Sequence, residues 1–121
     1  MILHDLAWVA KTRRQFRSAE ALYLQSLSVL NSNRPTSDRE RGVVLNDLAT
    51  VEMATGKTGL AIAHFEQAIA VNERVRGPFN AELITNYRNY AGALMLAGRV
   101  GDAVRAAEHA NGIAETAHPH D

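Results

Sequence analysis

The sequence matches itself at an offset of 42 residues, and this internal repeat limits the fold more strongly than any other feature. Small residues return at this interval, and so do the large apolar residues close to them. The agreeing sets are Ala7, Ala49 and Ala91; Ala19, Ala61 and Ala103; Leu6, Leu48 and Tyr90; and Tyr23 with Phe65. Such a repeat indicates stacked copies of one supersecondary unit, each of which buries its apolar face against its neighbours.

Each copy has the pattern of two helices joined by a tight turn. Between residues 44 and 51 of the second copy, apolar side chains recur at helical spacing. Gly56 is expected to end this helix, because glycine tolerates the left-handed conformation found after a helix C-terminus. Gly77-Pro78 should end the second helix. Gly98 stands at the equivalent of Gly56 in the third copy, whereas the first copy has Arg14 there.

These patterns predict an all-α fold, namely an alpha-alpha superhelix (solenoid) of three antiparallel helical hairpins with six helices. We expect a single domain over residues 1–121. Repeat 1 should span about 1–36, repeat 2 about 37–78 and repeat 3 about 79–118. The repeated alanines should let the two helices of a hairpin approach closely, with the large residues filling the space beside them.

Charge and composition narrow the possible partners and the cellular setting. The chain has 13 basic and 13 acidic residues, so it lacks the basic excess that nucleic-acid binding requires. It has no cysteine and no apolar run of the roughly 18 residues that suggest a membrane span. We therefore expect a cytoplasmic protein with no nucleic-acid or membrane partner. Four basic residues surround the first turn, namely Lys11, Arg13, Arg14 and Arg17. They would bind an acidic partner, bind a phosphate group or nucleic acid, or only contact solvent at the turn.

Catalytic and metal-binding patterns are missing from the sequence. Gly56-Lys57-Thr58 has neither the glycine spacing nor the preceding strand of a phosphate-binding loop. The five histidines do not form a spaced metal motif, and His118-Pro119-His120-Asp121 has the character of a terminal tail. The sequence therefore predicts that the protein is not an enzyme and takes no cofactor and no metal ion.

The repeated residues resemble the tetratricopeptide repeat family. The second copy supplies Leu45-x2-Leu48-Ala49, then Gly56, then Ala61-x3-Phe65-x2-Ala68. The 42-residue interval exceeds the usual 34 of the family, and Leu45-Asn46-Asp47-Leu48-Ala49 is similar to the L-N-N-L-A segment of the longer, kinesin-light-chain type. One departure is Glu52, which stands where an aromatic residue is usual.

The resemblance implies a scaffold that binds a peptide or a partner protein on a concave face lined by the first helices. The residues it places there for binding are His4, Trp8, Lys11, Asn46, Asp47, Thr50, Arg88 and Asn89. Asparagines at such positions would hydrogen-bond a peptide backbone, Arg88 would pair with a carboxylate, and Trp8 would be an apolar anchor. The plainer alternatives are solvated asparagines, a solvated Arg88 and a Trp8 packed against a neighbouring helix.

Two other functions are left open by the sequence. The first and last helices carry no evident cap, so we expect either a fragment of a longer repeat protein or a structural module that self-associates end to end as a homo-oligomer. The resemblance also allows the regulatory or sensor repeat region of a larger bacterial signalling protein, because the kinesin-light-chain type of repeat is widespread in such proteins.

Overall fold

A computed structural model describes residues 2–32 and 38–117, and all of the regular structure in these ranges is helical. The helices are α1 (Ile2–Thr12), α2 (Phe16–Asn31), α3 (Asp38–Ala54), α4 (Thr58–Arg76), α5 (Glu82–Leu96) and α6 (Val100–Ala117). Successive helices pair as the hairpins α1–α2, α3–α4 and α5–α6. The predicted all-α solenoid of six helices is confirmed, whereas the predicted repeat ends near residues 36 and 118 lie outside the described ranges.

The turns inside the three hairpins have the same construction. In each one, a residue with positive φ follows the first helix: Arg14 (60°), Gly56 (83°) and Gly98 (77°). The next residue then donates its backbone N–H to a carbonyl five residues earlier: Gln15 to Ala10 (2.8 Å), Lys57 to Glu52 (2.8 Å) and Arg99 to Leu94 (2.9 Å). The 42-residue register therefore holds at the level of single hydrogen bonds, and Arg14 takes a conformation that glycine adopts without steric cost.

Small side chains lie where the helices come closest, and large ones fill the core beside them. Ala7, Ala19, Ala49 and Ala61 have no exposed surface, and neither do Tyr23 and Phe65 at the equivalent large position. The third copy has no aromatic residue there, and Ala103, Ala106 and Ala110 line that part of α6 instead. The core is thus continuous through the stack, with less side-chain bulk in the last helix.

Tyr23 brings one polar atom into this core without a partner. Its hydroxyl is fully buried and makes no hydrogen bond, and burial, followed by the nearby Asp47 carboxylate, raises the pKa of the phenol. An unpaired buried polar group costs about 1–3 kcal/mol. We therefore expect Tyr23→Phe, which copies the Phe65 of the second repeat, to raise the free energy of unfolding by about 1 kcal/mol in urea titrations.

The matched control for this substitution is Tyr87→Phe. The hydroxyl of Tyr87 donates to Glu73 Oε1 at 3.0 Å, and burial, reinforced by this hydrogen bond, raises the pKa of Tyr87 to about 12. Removing a hydroxyl that has a partner should lower the free energy of unfolding by about 1 kcal/mol. A loss of stability in Tyr23→Phe would contradict the assignment of its hydroxyl as unpaired.

The hairpins stack with their first helices together and their second helices apart. Within the described residues, α3 approaches α1 on one side and α5 on the other, and it also packs on α2. No comparable approach joins α2 to α4 or α4 to α6 within those ranges. A stack whose first helices are closer together than its second helices curves toward the first helices, so α1, α3 and α5 form the concave side.

Arg41 ties the first hairpin to the second. The Arg41 side chain is only 4% exposed and forms an ion pair with Asp38 in the first turn of α3. Its Nη2 donates to the Leu30 carbonyl at 3.0 Å and its Nε to Asn31 Oδ1 at 2.9 Å, both at the C-terminus of α2. The guanidinium group thereby links the C-terminus of α2 to the first turn of α3.

The second hairpin contains a buried carboxylate that is paired with an imidazole. Glu52 of α3 is 3% exposed, and its carboxylate lies 2.7 Å from Nδ1 of His64 on α4. The departure from the family pattern at Glu52 is therefore matched by a histidine on the facing helix. In the third repeat the two equivalent positions hold Leu94 and Ala106, so an apolar pair fits the same place.

Candidate functional site

The concave side carries three rows of side chains, one residue from each first helix. By the 42-residue offset, the rows are His4, Asn46 and Arg88; Asp5, Asp47 and Asn89; and Trp8, Thr50 and Gly92. Because α3 lies between α1 and α5, each row runs from one first helix to the next. All eight residues predicted to bind a partner belong to these rows or, for Lys11, to the next turn of α1.

Four of the predicted residues meet at the junction of α1 and α3, where they bind one another. His4 Nε2 lies 2.9 Å from Asp47 Oδ2. Lys11 Nζ donates to Thr50 Oγ1 at 3.3 Å and lies 3.8 Å from Asp47 Oδ1. The Asp47 side chain is 16% exposed, so its charge is largely neutralised within the protein. These contacts join neighbouring repeats, and they leave few free hydrogen-bonding groups for a ligand at this junction.

A cleft of about 310 Å³ opens at the junction of α3 and α5. Its walls are formed by Gly42, Val43, Asn46 and Asp47 of α3, by Asn72 of α4, and by Ala81, Glu82, Thr85 and Asn86 in and before α5. Asn72 Nδ2 donates to Asn86 Oδ1 at 2.7 Å, which fixes both side chains at the base of the cleft. Glu82 is paired with Arg76 at 3.2 Å.

Asn46 is the polar group of this cleft that lacks a partner. Its amide oxygen has no solvent-exposed surface and accepts no hydrogen bond. A buried acceptor without a donor is unfavourable. It would gain a hydrogen bond from a ligand N–H group if the Asn46 amide turned its oxygen toward the cleft. Asn46 is thus chemically different from Asn72 and Asn86, which satisfy each other.

The three other predicted residues lie apart from both junctions. Trp8 is 53% exposed, so its indole lies open on the surface and is not packed into a neighbouring helix. Arg88 is exposed and makes no ion pair within the described residues. Asn89 is half-buried beside it on α5. An unneutralised positive charge therefore lies at the α5 end of the surface, and a large aromatic group at the α1 end.

Several lining residues of the cleft were missed by the sequence analysis. Asn72 belongs to a second helix, and Asn86 is 5% exposed on the buried side of α5, so neither fits a search along the exposed positions of first helices. The signal that could have found them is the unusual length of α4, which has 19 residues and carries Asn72 beyond the end of its apolar pattern. The concave cleft is thus built partly from a lengthened second helix.

Two kinds of site are not seen in the described parts of the chain. No group of three or more histidine, aspartate or glutamate side chains is placed to hold a metal ion. None of the helices is both long enough and apolar enough to cross a bilayer.

A stack of helical hairpins with a continuous side-chain surface on its concave face is an α-solenoid scaffold. Residues 40–116 match the family model for the tetratricopeptide repeat, which covers more than half of the sequence. The chain belongs to the tetratricopeptide repeat family. This family is a class of non-enzymatic scaffolds for protein–protein interaction, so the predictions of an interaction scaffold and of a protein that is not an enzyme are confirmed at this level.

Two known proteins resemble the chain in sequence and in structure. Over 91 residues it is 29% identical to Protein KINESIN LIGHT CHAIN-RELATED 3 of Arabidopsis thaliana, a match that covers 73% of this chain and 14% of the plant protein. The crystal structure of BtubC (BKLC) from P. vanneervenii superposes with a TM-score of 0.87 at 21% identity, covering 99% of this chain and 48% of that one. The predicted resemblance to the kinesin-light-chain type is confirmed, and the chain spans only part of each protein.

Proposed function

We propose that the protein recognises an extended segment of a partner protein on its concave surface. The observation that carries the proposal is the α3–α5 cleft, with the unpaired amide oxygen of Asn46 in its wall. A peptide backbone supplies one N–H donor per residue, which is the group that this oxygen lacks. Binding would remove the cost of a buried acceptor without a partner, in addition to forming a hydrogen bond.

The charges of the concave surface favour an acidic residue in the bound segment. Lys11 and His4 both contact the Asp47 carboxylate, and Glu82 is paired with Arg76. Arg88 is an exposed cation at the α5 end of the surface and has no ion pair among the described residues. A carboxylate near α5 would therefore gain a charge-assisted hydrogen bond without displacing an existing partner.

Trp8 favours an apolar residue toward the other end of the bound segment. The indole is 53% exposed, and large aromatic residues are enriched among those that contribute most to binding at interfaces. The equivalent position on α5 is Gly92, which has no side chain to contact a ligand. The surface thus offers an apolar contact at α1, amide groups at α3 and a positive charge at α5.

A selection from random peptides displayed on phage tests the proposal. Peptides enriched on the wild-type protein should contain an acidic residue, and their affinity should be measured by fluorescence anisotropy. We expect Asn46→Ala to weaken binding about tenfold, which corresponds to the loss of one hydrogen bond to a buried group. Arg88→Ala should weaken binding by a similar factor, and the difference from wild type should shrink at high salt.

Matched substitutions outside the concave surface serve as controls. Asn111 is exposed on α6 and Arg17 is exposed on α2, so Asn111→Ala and Arg17→Ala should leave peptide affinity unchanged. Equal binding by wild type, Asn46→Ala and Arg88→Ala would reject the concave site. Loss of binding in the control variants would indicate that the peptide binds on the convex side.

We place this recognition in the cytoplasm, because the sequence has no cysteine and therefore no disulfide that would suit an oxidising compartment. The same surface would serve in a longer polypeptide, such as a signalling protein in which the repeats act as the regulatory or sensor region. The balance of 13 basic and 13 acidic residues supports protein over nucleic acid as the partner.

A further inference from the structure

The base of the α3–α5 cleft is formed by two asparagine side chains at positions that are apolar between the first and second repeats. By the 42-residue offset, Asn72 and Asn86 are equivalent to Leu30 and Val44. Leu30 is 4% exposed, Val44 has no exposed surface, and both belong to one core cluster. An apolar pair therefore fits this place in the stack, and the packing of the repeats does not require amides there.

The amide pair, defined as the side chains of Asn72 and Asn86, lies next to an apolar layer. Asn72 follows Ile69 on α4 by three residues, and Asn86 follows Leu83 on α5 by three residues, so each asparagine shares a helix face with a buried residue. Ile69 and Leu83 belong to one core cluster, and Asn86 itself is only 5% exposed. Hydrogen bonds in such a sheltered place are stronger than hydrogen bonds on an open surface.

The hydrogen bond within the amide pair leaves one acceptor and one donor unused. Asn72 Nδ2 donates to Asn86 Oδ1 at 2.7 Å. In the described parts of the chain, Asn72 Oδ1 and Asn86 Nδ2 have no partner, and neither is among the fully buried atoms that lack one. Both atoms therefore keep some contact with the cleft that their residues line. The base of the cleft thus presents a carbonyl oxygen and an N–H group on two amides in direct contact.

A primary amide is the ligand group that matches this donor and this acceptor. Its carbonyl oxygen and one of its N–H groups lie on the same edge, so it can accept from Asn86 and donate to Asn72 at once. A backbone peptide group cannot do so, because it is trans and its N–H and C=O point in opposite directions. A carboxylate has no donor and an apolar side chain has neither group, so each would leave part of the amide pair without a partner.

We propose that the amide pair is a subsite for a primary amide, which in a bound segment is the side chain of glutamine or asparagine. The identity of the ligand as a protein segment rests on the proposed function. In that segment, the amide residue lies between the residues that Trp8 and Arg88 favour. A site that hydrogen-bonds a polar side chain discriminates strongly against an analogue without it, because the site's own polar groups then stay unpaired.

Acetamide and N-methylacetamide test the subsite without any partner segment. Acetamide is a primary amide, whereas N-methylacetamide has the trans arrangement of a peptide group. In ¹H–¹⁵N NMR spectra of the full chain, acetamide should shift the side-chain NH₂ signals of Asn72 and Asn86 in a saturable way, at the high concentrations that so small a ligand needs. N-methylacetamide should shift them less. The NH₂ signal of Asn111, which is exposed on α6, is the matched control and should respond equally little to both compounds.

The double variant Asn72→Leu/Asn86→Val gives the second junction the apolar pair of the first. It should be at least as stable as the wild type in urea titrations, because replacing both partners of a hydrogen bond by apolar groups can be neutral or stabilising. Peptides selected on the wild type should contain glutamine or asparagine, and exchanging this residue for leucine should weaken binding at least about tenfold. The double variant should prefer the leucine peptide, whereas Asn111→Leu should keep the wild-type preference.

The outcomes separate the subsite from the proposed function. Equal NMR shifts with acetamide and N-methylacetamide, or no shifts at all, would overturn the subsite. Concave binding of peptides without a preference for an amide residue, or with the same preference in the double variant, would also overturn it and leave the proposed function standing. If acetamide shifts the Asn72 and Asn86 signals selectively while Asn46→Ala and Arg88→Ala bind peptides as the wild type does, the subsite is kept and the concave recognition of a segment is rejected.

Discussion

We expect His64→Ala to lower the free energy of unfolding by about 3 kcal/mol, the low end of the range for leaving a buried charged group without its partner. The carboxylate of Glu52 is almost completely buried and is paired with His64 Nδ1 at 2.7 Å. Without the imidazole, this carboxylate would stay in the core of the second hairpin with no partner. Water reaches the 20% of the His64 side chain that is exposed, which places the effect at the lower end. Urea titration gives the value directly.

The third repeat supplies the matched control for this experiment. At the positions equivalent to Glu52 and His64 it has Leu94 and Ala106, both of them buried. The double variant Glu52→Leu/His64→Ala should therefore be at least as stable as the wild type, because replacing a buried ion pair by apolar residues of suitable size is often neutral or stabilising. A double variant as unstable as His64→Ala would mean that packing, and not the unpaired charge, causes the loss.

The second large effect is expected for Arg41→Ala, which should lower the free energy of unfolding by about 2–4 kcal/mol. The guanidinium group is buried and is shared by Asp38, the Leu30 carbonyl and Asn31 Oδ1. Its removal takes one donor from each of these three acceptors and opens a cavity between the first and second hairpins. Hydrogen exchange should therefore increase more in α1 and α2 than in α5 and α6.

Arg74→Ala is the comparison for Arg41→Ala, since both arginines bind Asp38. Arg74 donates to Asp38 Oδ2 at 2.9 Å, but its side chain is 59% exposed. The hydrogen bond from Arg74, reinforced by Arg41, lowers the pKa of Asp38. An exposed ion pair contributes at most about 1 kcal/mol, so Arg74→Ala should have a small effect. Equal losses in the two variants would contradict the role given to burial at Arg41.

The fold could be predicted from the sequence because the repeated residues are those that the turns and the helix packing require. Gly56 and Gly98 mark turns that need a positive φ, and Arg14, which the repeat aligns with them, has a positive φ as well. The alanines Ala7, Ala19, Ala49 and Ala61 mark the points of closest helix approach. Both signals are local and recur at a fixed interval, so a single sequence is sufficient to recognise them.

The functional surface was less predictable, because its chemistry depends on which side chains meet across helices. The sequence places His4, Lys11, Asp47 and Thr50 on one face, yet it does not reveal that they bond with each other. The contribution of Asn72 depends on how far α4 extends beyond its apolar core. Helix length and the rotation of each helix decide these contacts, and neither follows from residue type alone.

The separation of α2, α4 and α6 has a mechanical consequence. Neighbouring hairpins are joined along their first helices and at the α2–α3 and α4–α5 contacts, and the described second helices do not touch one another. Bending the stack therefore requires small sliding at these joints and does not compress a continuous outer layer. We therefore expect the stack to bend elastically, so that its inner edge widens or narrows without the unfolding of any helix.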